Sequence, residues 1–354
     1  MGILRVIRVG WAVSGVVLAV GIAGCSSGTK QAAFVPPTPV AQQYVYLPQT
    51  LSNATGAIAD FNATATGTVS LQTALTDSGG GLGYLCVDGS GNFYAVETFQ
   101  GSSFSTFSIV EFGAGSGGAA TPTRRISGSA TGLIASSSLT TTSNYPIAVN
   151  SSGAIAVGLN VPGSEAIELF NAGANGNVAP SATIPIPSAN AGTIVHIALS
   201  PSGAISVLSQ GLKSYQLLTF PAGSNGTTTP TVVTTFAANT LADGLLADAS
   251  GNLYVASTLV TSVNGYLTGY APTIQEFAAG ATTATKTITP TNDAVRMFGL
   301  QLDSSGDLYV FCQDLSGTND TVQVFAPAAS CAASPTATIS SSAFTGLDGS
   351  IAVY

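Results

Sequence analysis

Charge is what this sequence has least of. Only 7% of its 354 residues are Asp, Glu, Lys or Arg, and eight basic residues stand against 16 acidic ones. So few cations cannot replace the counterions of a phosphate backbone, which excludes nucleic acid as a partner. Electrostatic adhesion to anionic lipid fails for the same reason. The single histidine, His196, excludes a multi-His zinc site. Beyond residue 28, no G-x-S-x-G elbow is present to carry a nucleophilic serine. Beyond the first 25 residues, no apolar run is long enough to cross a bilayer as a helix. The hydrophobic fraction of 45% nevertheless excludes a disordered chain. Ser, Thr, Ala and Gly carry the surface that charge does not.

What the chain has is a repeat of about 50 residues. Its clearest copy, Leu246–Ser257, reads L-A-D-A-S-G-N-L-Y-V-A-S and is followed by I-Q-E-F-A-A-G at Ile274–Gly280. An apolar run leads to the turn Asp248-Ala249-Ser250-Gly251-Asn252, whose residues favour positive φ and local hydrogen bonds. Leu253-Tyr254-Val255 has strand composition, a third run ends in Phe277, and Thr285–Ile288 alternates as a fourth. Further copies turn at Asp88–Asn92, Asn150–Gly153, Ser200–Gly203 and Asp303–Asp307, and their third runs end in Phe112, Phe170, Phe220 and Phe325. Pro122-Thr123, Pro230-Thr231 and Pro335-Thr336 announce fourth strands.

Four short strands per repeat define a propeller blade, so the fold class is all-β, a β-propeller. Five complete units are visible, and the two ends make a sixth. Tyr44–Leu47 reads as a second strand, Ala57–Phe61 as a third and Thr68–Leu71 as a fourth, with Ser350–Tyr354 supplying the missing first strand. Seven blades would result if 346–354 formed a hairpin instead.

The unit resembles the NHL repeat and its bacterial relatives, whose pattern is an apolar strand, D-x-x-G-N, L/V-Y-V-A and I-x-x-F. The resemblance covers residues 44–354 and implies a propeller, with function left open. Where many NHL repeats carry a basic residue before the third strand, this chain has Ser108, Thr273 and Thr321, so the resemblance carries no basic binding face.

The chain divides into residues 1–24, 25–43 and 44–354. Met1–Arg8 is short and basic, Trp11–Ile22 is apolar, and Ile22-Ala23-Gly24-Cys25 resembles the bacterial lipobox. That resemblance implies cleavage before Cys25 and lipidation of its thiol. Ser26, rather than Asp, follows it, which implies the outer membrane. Residues 26–43, with Val35-Pro36-Pro37-Thr38-Pro39, read as a solvated tether. Loss of Arg5 and Arg8 with the leader deepens the net charge from −8 to about −10.

Candidate sites are sparse. The loops between second and third strands share one face, the top, with the blade-to-blade connections, while the Asp-containing turns lie on the other. Asp88, Asp248 and Asp303 are turn formers. Polar groups assigned to the top are Glu97, Asp243, Asp293, Arg296, Asp314 and His196, the last a channel-lining residue. Two longer loops carry aromatics, Phe99, Phe104 and Phe107 in one, Tyr266 and Tyr270 in the other. Exposed rings of this kind would grip a protein, peptide or glycan. The main reading is therefore a membrane-anchored binding propeller without a cofactor. The alternative is a gluconolactonase-like hydrolase or lyase, with Ca²⁺ or another divalent cation held by Glu97, Asp293 and Asp314. Gly113–Gly118 fits G-x-G-x-x-G, but no helix follows, so it reads as a turn. Cys312 and Cys331 fall at opposite ends of one blade, so no disulfide is expected between them.

Overall fold

The computed structural model describes residues 43–354 apart from 51–55, 78, 101–104, 134–144, 264–265, 292–294, 315, 317–318 and 345–349. They form six antiparallel four-stranded blades in a ring, a six-bladed β-propeller. Blade 1 takes its inner strand from the C-terminus: Ala352–Val353 pairs with Tyr44–Thr50, which pairs with Gly56–Asn62 and then Gln72–Asp77. Tyr44 and Tyr354 exchange both main-chain hydrogen bonds, at 2.8 and 3.1 Å. Blades 2 to 6 begin at Gly81, Ile147, Thr193, Thr240 and Val295 and follow one another without crossover.

The repeat turns explain themselves locally. Asp88 Oδ1 accepts from the backbone N–H groups of Ser90 and Asn92, and Asp248 and Asp303 do the same two and four residues on. Asn150 and Ser200 replace the aspartate with the same four-residue reach. The glycine that follows sits at φ between 80° and 87° in all five copies, a conformation that costs a side-chain-bearing residue energy. Burial would raise the Asp88 pKa, but bonds from Asn92, Ser90 and Tyr94 to its carboxylate hold it below the usual value.

The phenylalanines that end the third runs are the wedges between blades. Phe112, Phe170, Phe220, Phe277 and Phe325 are at most 2% exposed, and Phe61 does the same work in blade 1. Each shares a buried cluster with the blade before its own: Phe170 with Tyr94 and Ile109, Phe220 with Ile167 and Ile184, Phe325 with Ile274 and Ile288. Replacing one by Ala would cost about 3–5 kcal/mol.

Outer strands are covered too. The turn after the third strand lies along the outer strand of the preceding blade. Gly118–Ala120 runs parallel to Leu75–Asp77, Cys331–Ala333 to Ile288–Pro290, and Gly67–Thr68 to Ile339–Ser340. Gly176 bonds to Arg125 and Ser127, and Gly226 to Thr183. This corrects one strand of the sequence reading. The fourth strand of blade 1 is Gln72–Asp77 rather than Thr68–Leu71, because Gly67–Thr68 is spent on blade 6. Gly113–Ser116 is a turn, closed by Ser116 N–H to the Gly113 carbonyl. Cys86, Cys312 and Cys331 are free thiols, and burial raises the pKa of the first two.

Removing Ser350–Tyr354 should expose the long edge of Tyr44–Thr50 and take Ile351 and Val353 from the core. The expected result in thermal unfolding is loss of cooperativity or aggregation; a truncated protein melting with the parent would contradict closure by this strand.

Candidate functional site

Two places on the top half of the ring gather polar groups, and both arise where a blade departs from regular pairing. The first is the mouth of the central channel. Register shifts interrupt the inner strands at Tyr84, Val195, Asp243 and Phe298–Gly299. A bulge of this kind re-aims side chains. Tyr84, at φ 41°, donates its hydroxyl to the Val195 carbonyl at 3.3 Å, reaching from blade 2 to blade 4 across the channel. Its ring meets His196 edge-on at 6.0 Å between centroids. Between blades 5 and 6, Arg296 Nε donates to Asp243 Oδ2 at 2.7 Å, and the guanidinium lies 4.5 Å from the Phe298 ring centre. Burial pushes the His196 pKa down to about 4, against the opposing charge of Asp243, so the imidazole is neutral at ordinary pH. The channel itself encloses about 190 Å³, lined mainly by aliphatic residues such as Ile197 and Leu300.

The second place is larger. A cavity of about 590 Å³ opens at the top of blade 2, lined by Phe99, Phe107, Ser108, Arg125, Gly132 and Leu133 among others. It exists because the blade is uneven. Strands Phe93–Gln100 and Ser105–Phe112 pair along their full length, but the outer strand pairs only with Ile109–Glu111. Glu97 and Ser108 are cross-strand partners, and Ser108 Oγ donates to Glu97 Oε2 at 2.5 Å. Arg125 rises from the outer strand, ion-pairs with that same carboxylate oxygen, and donates to Ser108 Oγ at 3.0 Å. Its guanidinium also lies 5.5 Å from the Phe99 ring centre. Glu97 is fully buried, so Arg125 is held in place by the cost of leaving that charge alone. A second carboxylate stands behind the cavity wall. Gly132, at φ 72°, leaves room for Glu168, whose carboxyl a Cβ at Gly132 would strike. Glu168 Oε2 is buried without a hydrogen-bond partner, and burial raises its pKa to about 7.

Of the residues singled out by sequence, Phe99 lines this cavity and Glu97 is tied to its wall. Phe107 is 7% exposed and stacks edge-on with Tyr145 at 4.4 Å, presenting only part of its surface to the cavity. Tyr270 lies in the long hairpin of blade 5, half-buried. Asp314, in blade 6, bonds to Ser316 and Asn319 of its own hairpin, while Glu97 is engaged in blade 2, so the structure does not bring these two together. Cys25, Phe104 and Asp293 lie outside the described residues, and of Tyr266 only the backbone is described. Among the described residues, no group of three or more His, Cys, Asp or Glu side chains is placed to hold a metal ion. Sequence reasoning missed Arg125 and Glu168. Arg125 gave no direct signal, since it stands on the outer strand and meets Ser108 only across the sheet.

No protein-family model and no curated protein matches the sequence. Solved structures do match by shape. A protein of unknown function from Bacteroides caccae has a TM-score of 0.51 at 9% identity, covering 88% of this chain and 99% of its own. A putative oxidoreductase (glucose dehydrogenase) from Thermus thermophilus has a TM-score of 0.41 at 14% identity, over 75% of this chain and 90% of its own. The β-propeller domain of the trilobed protease from Pyrococcus furiosus has a TM-score of 0.40 at 10% identity, over 70% of each chain. At these identities the likeness concerns the fold alone.

Glu168 gives a pH dependence with a definite sign. Its folded pKa, about 7, lies above the ordinary 4.5, so the folded state holds the extra proton between those values. Stability is therefore full below pH 4.5 and falls as pH rises towards 7, by on the order of 3 kcal/mol from this group. In Glu168→Gln the fall between pH 5 and 7.5 should flatten when thermal midpoints are compared with the parent. An unchanged slope would show that Glu168 ionises freely.

Proposed function

We propose that this protein is an exported, lipid-anchored binding propeller that holds a protein, peptide or glycan on its top face and performs no chemistry of its own. The observation that carries the reading is the cavity of blade 2. Its volume of about 590 Å³ lies within the ordinary range of binding pockets, roughly 300–1,000 Å³. Its lining combines an aromatic ring, an aliphatic wall, hydroxyls and one guanidinium fixed by a buried partner. That is the mixture of apolar surface and few placed polar groups by which pockets orient a ligand. The channel favours the same reading, since Tyr84 spans it and its one imidazole is neutral and engaged with a ring rather than a carboxylate.

The anchor rests on the sequence. A basic start, an apolar stretch and Ala23-Gly24-Cys25 support lipidation at Cys25 and an address at the outer membrane, with residues 26–43 holding the propeller away from the lipid.

The test has two arms. Full-length protein is probed on glycan and peptide arrays, and Phe99→Ala is compared with the parent. Binding should fall roughly tenfold or more, as for the loss of a central aromatic anchor, with the thermal midpoint unchanged. Cys25→Ser should shift the protein out of the membrane fraction or leave it unprocessed. Turnover of a lactone with stoichiometric divalent cation, or unchanged fractionation and mature mass, would overturn the respective arm.

A further inference from the structure

Six third strands face the same problem at their top ends, and they solve it differently. In blades 1, 3, 4 and 6 the outer strand covers the third strand to its first residues: Asp77 opposite Gly56, Pro185 opposite Ala166, Thr235 opposite Gln216, Ser340 opposite Thr321. Among the described residues, only in blades 2 and 5 does the third strand run on past its outer neighbour. Ser105–Phe112 is covered at Ile109–Glu111, and Tyr266–Phe277 at Ile274–Glu276.

The direction of the uncovered main-chain groups follows from the bonds below them. Thr123 N–H donates to the Glu111 carbonyl, while Arg125 and Ser127 bond outward to Gly176. Arg124 and Ile126 therefore face the third strand, and Glu111 and Ile109 face outward to meet them. Alternation then turns the N–H and C=O of Phe107 and Ser105 outward as well. Among the described residues nothing pairs with them. In blade 5, Thr285 N–H donates to the Glu276 carbonyl in the same way, so the position matching Phe107 is Pro272. Proline has no N–H to offer, and it is a common device for closing an edge to further strands. The exposed outer strand of blade 4, Thr231–Thr235, is broken instead by a bulge at Val233. Among the described residues, the top of blade 2 has neither device. Its third strand pairs with the second in unbroken register from Ser105 to Phe112, and the cavity lies beside the open edge.

We infer that this edge takes an extended peptide of a partner protein, which continues the line of the outer strand beyond Ile126, bonds to the main chain of Phe107 and Ser105, and sets an apolar side chain in the cavity against Phe99 and Leu133. Recognition by strand addition draws affinity from main-chain bonds and selectivity from pockets for alternate side chains, and both parts are present here. A peptide suits this surface better than a charged ligand, because Glu97 already neutralises Arg125. The inference rests on the proposed binding function and names its ligand class.

The experiment uses full-length protein and a displayed library of random dodecapeptides. Enriched peptides are synthesised and their affinities measured by fluorescence polarisation. Ser105→Pro places a proline on the blade 2 edge, two residues before the position that matches Pro272 of blade 5, where alternation turns the N–H away from the second strand. It should weaken binding roughly tenfold, as should Phe99→Ala. Bound peptide should also slow amide exchange at Ser105 and Phe107 in the parent, a readout independent of how the proline variant folds. If Phe99→Ala loses binding while Ser105→Pro does not, and exchange at those amides is unchanged, strand addition is overturned and the cavity reading stands. If neither variant matters, both fall. A concentration-dependent dimer abolished by Ser105→Pro would replace the peptide with a second copy of this chain. Failure to enrich any peptide overturns the peptide class, leaving the glycan array to decide the broader function.

Discussion

Every blade of this protein is a small sheet with two edges, and the fold depends on what is done with them. The decisive pairing is that of Tyr44 with Tyr354, which exchange main-chain hydrogen bonds and so make the first and last residues of the ring neighbours. Without it, blade 1 would lack an inner strand, and the wall of the channel would be open along Tyr44–Thr50. Outer edges are managed less completely. In five blades a turn from the next blade lies along the outer strand, so ring closure and edge protection come from the same rotation between units.

The same rotation places the candidate site. Six phenylalanines wedge each blade against its predecessor and fix the spacing of the ring. Within that frame blade 2 differs from its neighbours by a longer hairpin and a short outer strand, and the difference is the cavity. The buried ion pair of Glu97 with Arg125 makes its wall rigid. Breaking such a pair from one side would cost about 3–5 kcal/mol, which makes its two partners a structural unit rather than independent ligand contacts.

The fold was legible because its determinants are local. A turn such as Asp248–Asn252 carries its own hydrogen bonds and its own positive φ, and the I-x-x-F ending marks the wedge in each copy. Closure was legible because Ile351–Val353 resembles an inner strand and the N-terminal unit lacks one. The miss in blade 1 has a clear cause: Gly67–Thr68 has strand-like neighbours, but its partner is Ser340, 272 residues away, and nothing local announces it. The site was less legible for the same reason. Phe99 stood out as an aromatic in a long loop, whereas Arg125 reads as one of two arginines in a short strand. Its importance comes from Glu97, two strands away. Glu168 looked like any strand glutamate until Gly132, from another blade connection, was seen to close over it. Tyr84 lies in an apolar run, and only a bulge sends it across the channel.

Among the described residues, the ring leaves one strand edge without a bulge, a proline or a covering strand, at the top of blade 2. Amide hydrogen exchange on the free protein, resolved by residue, tests it most directly. The account requires Ile109, Tyr44 and Tyr354 to be protected by their ladder bonds, while Ser105 and Phe107 exchange at least about a hundredfold faster than Ile109 although they belong to the same strand. Equal protection along Ser105–Ile109 would mean that the edge is already covered in the free protein, and the account would be contradicted.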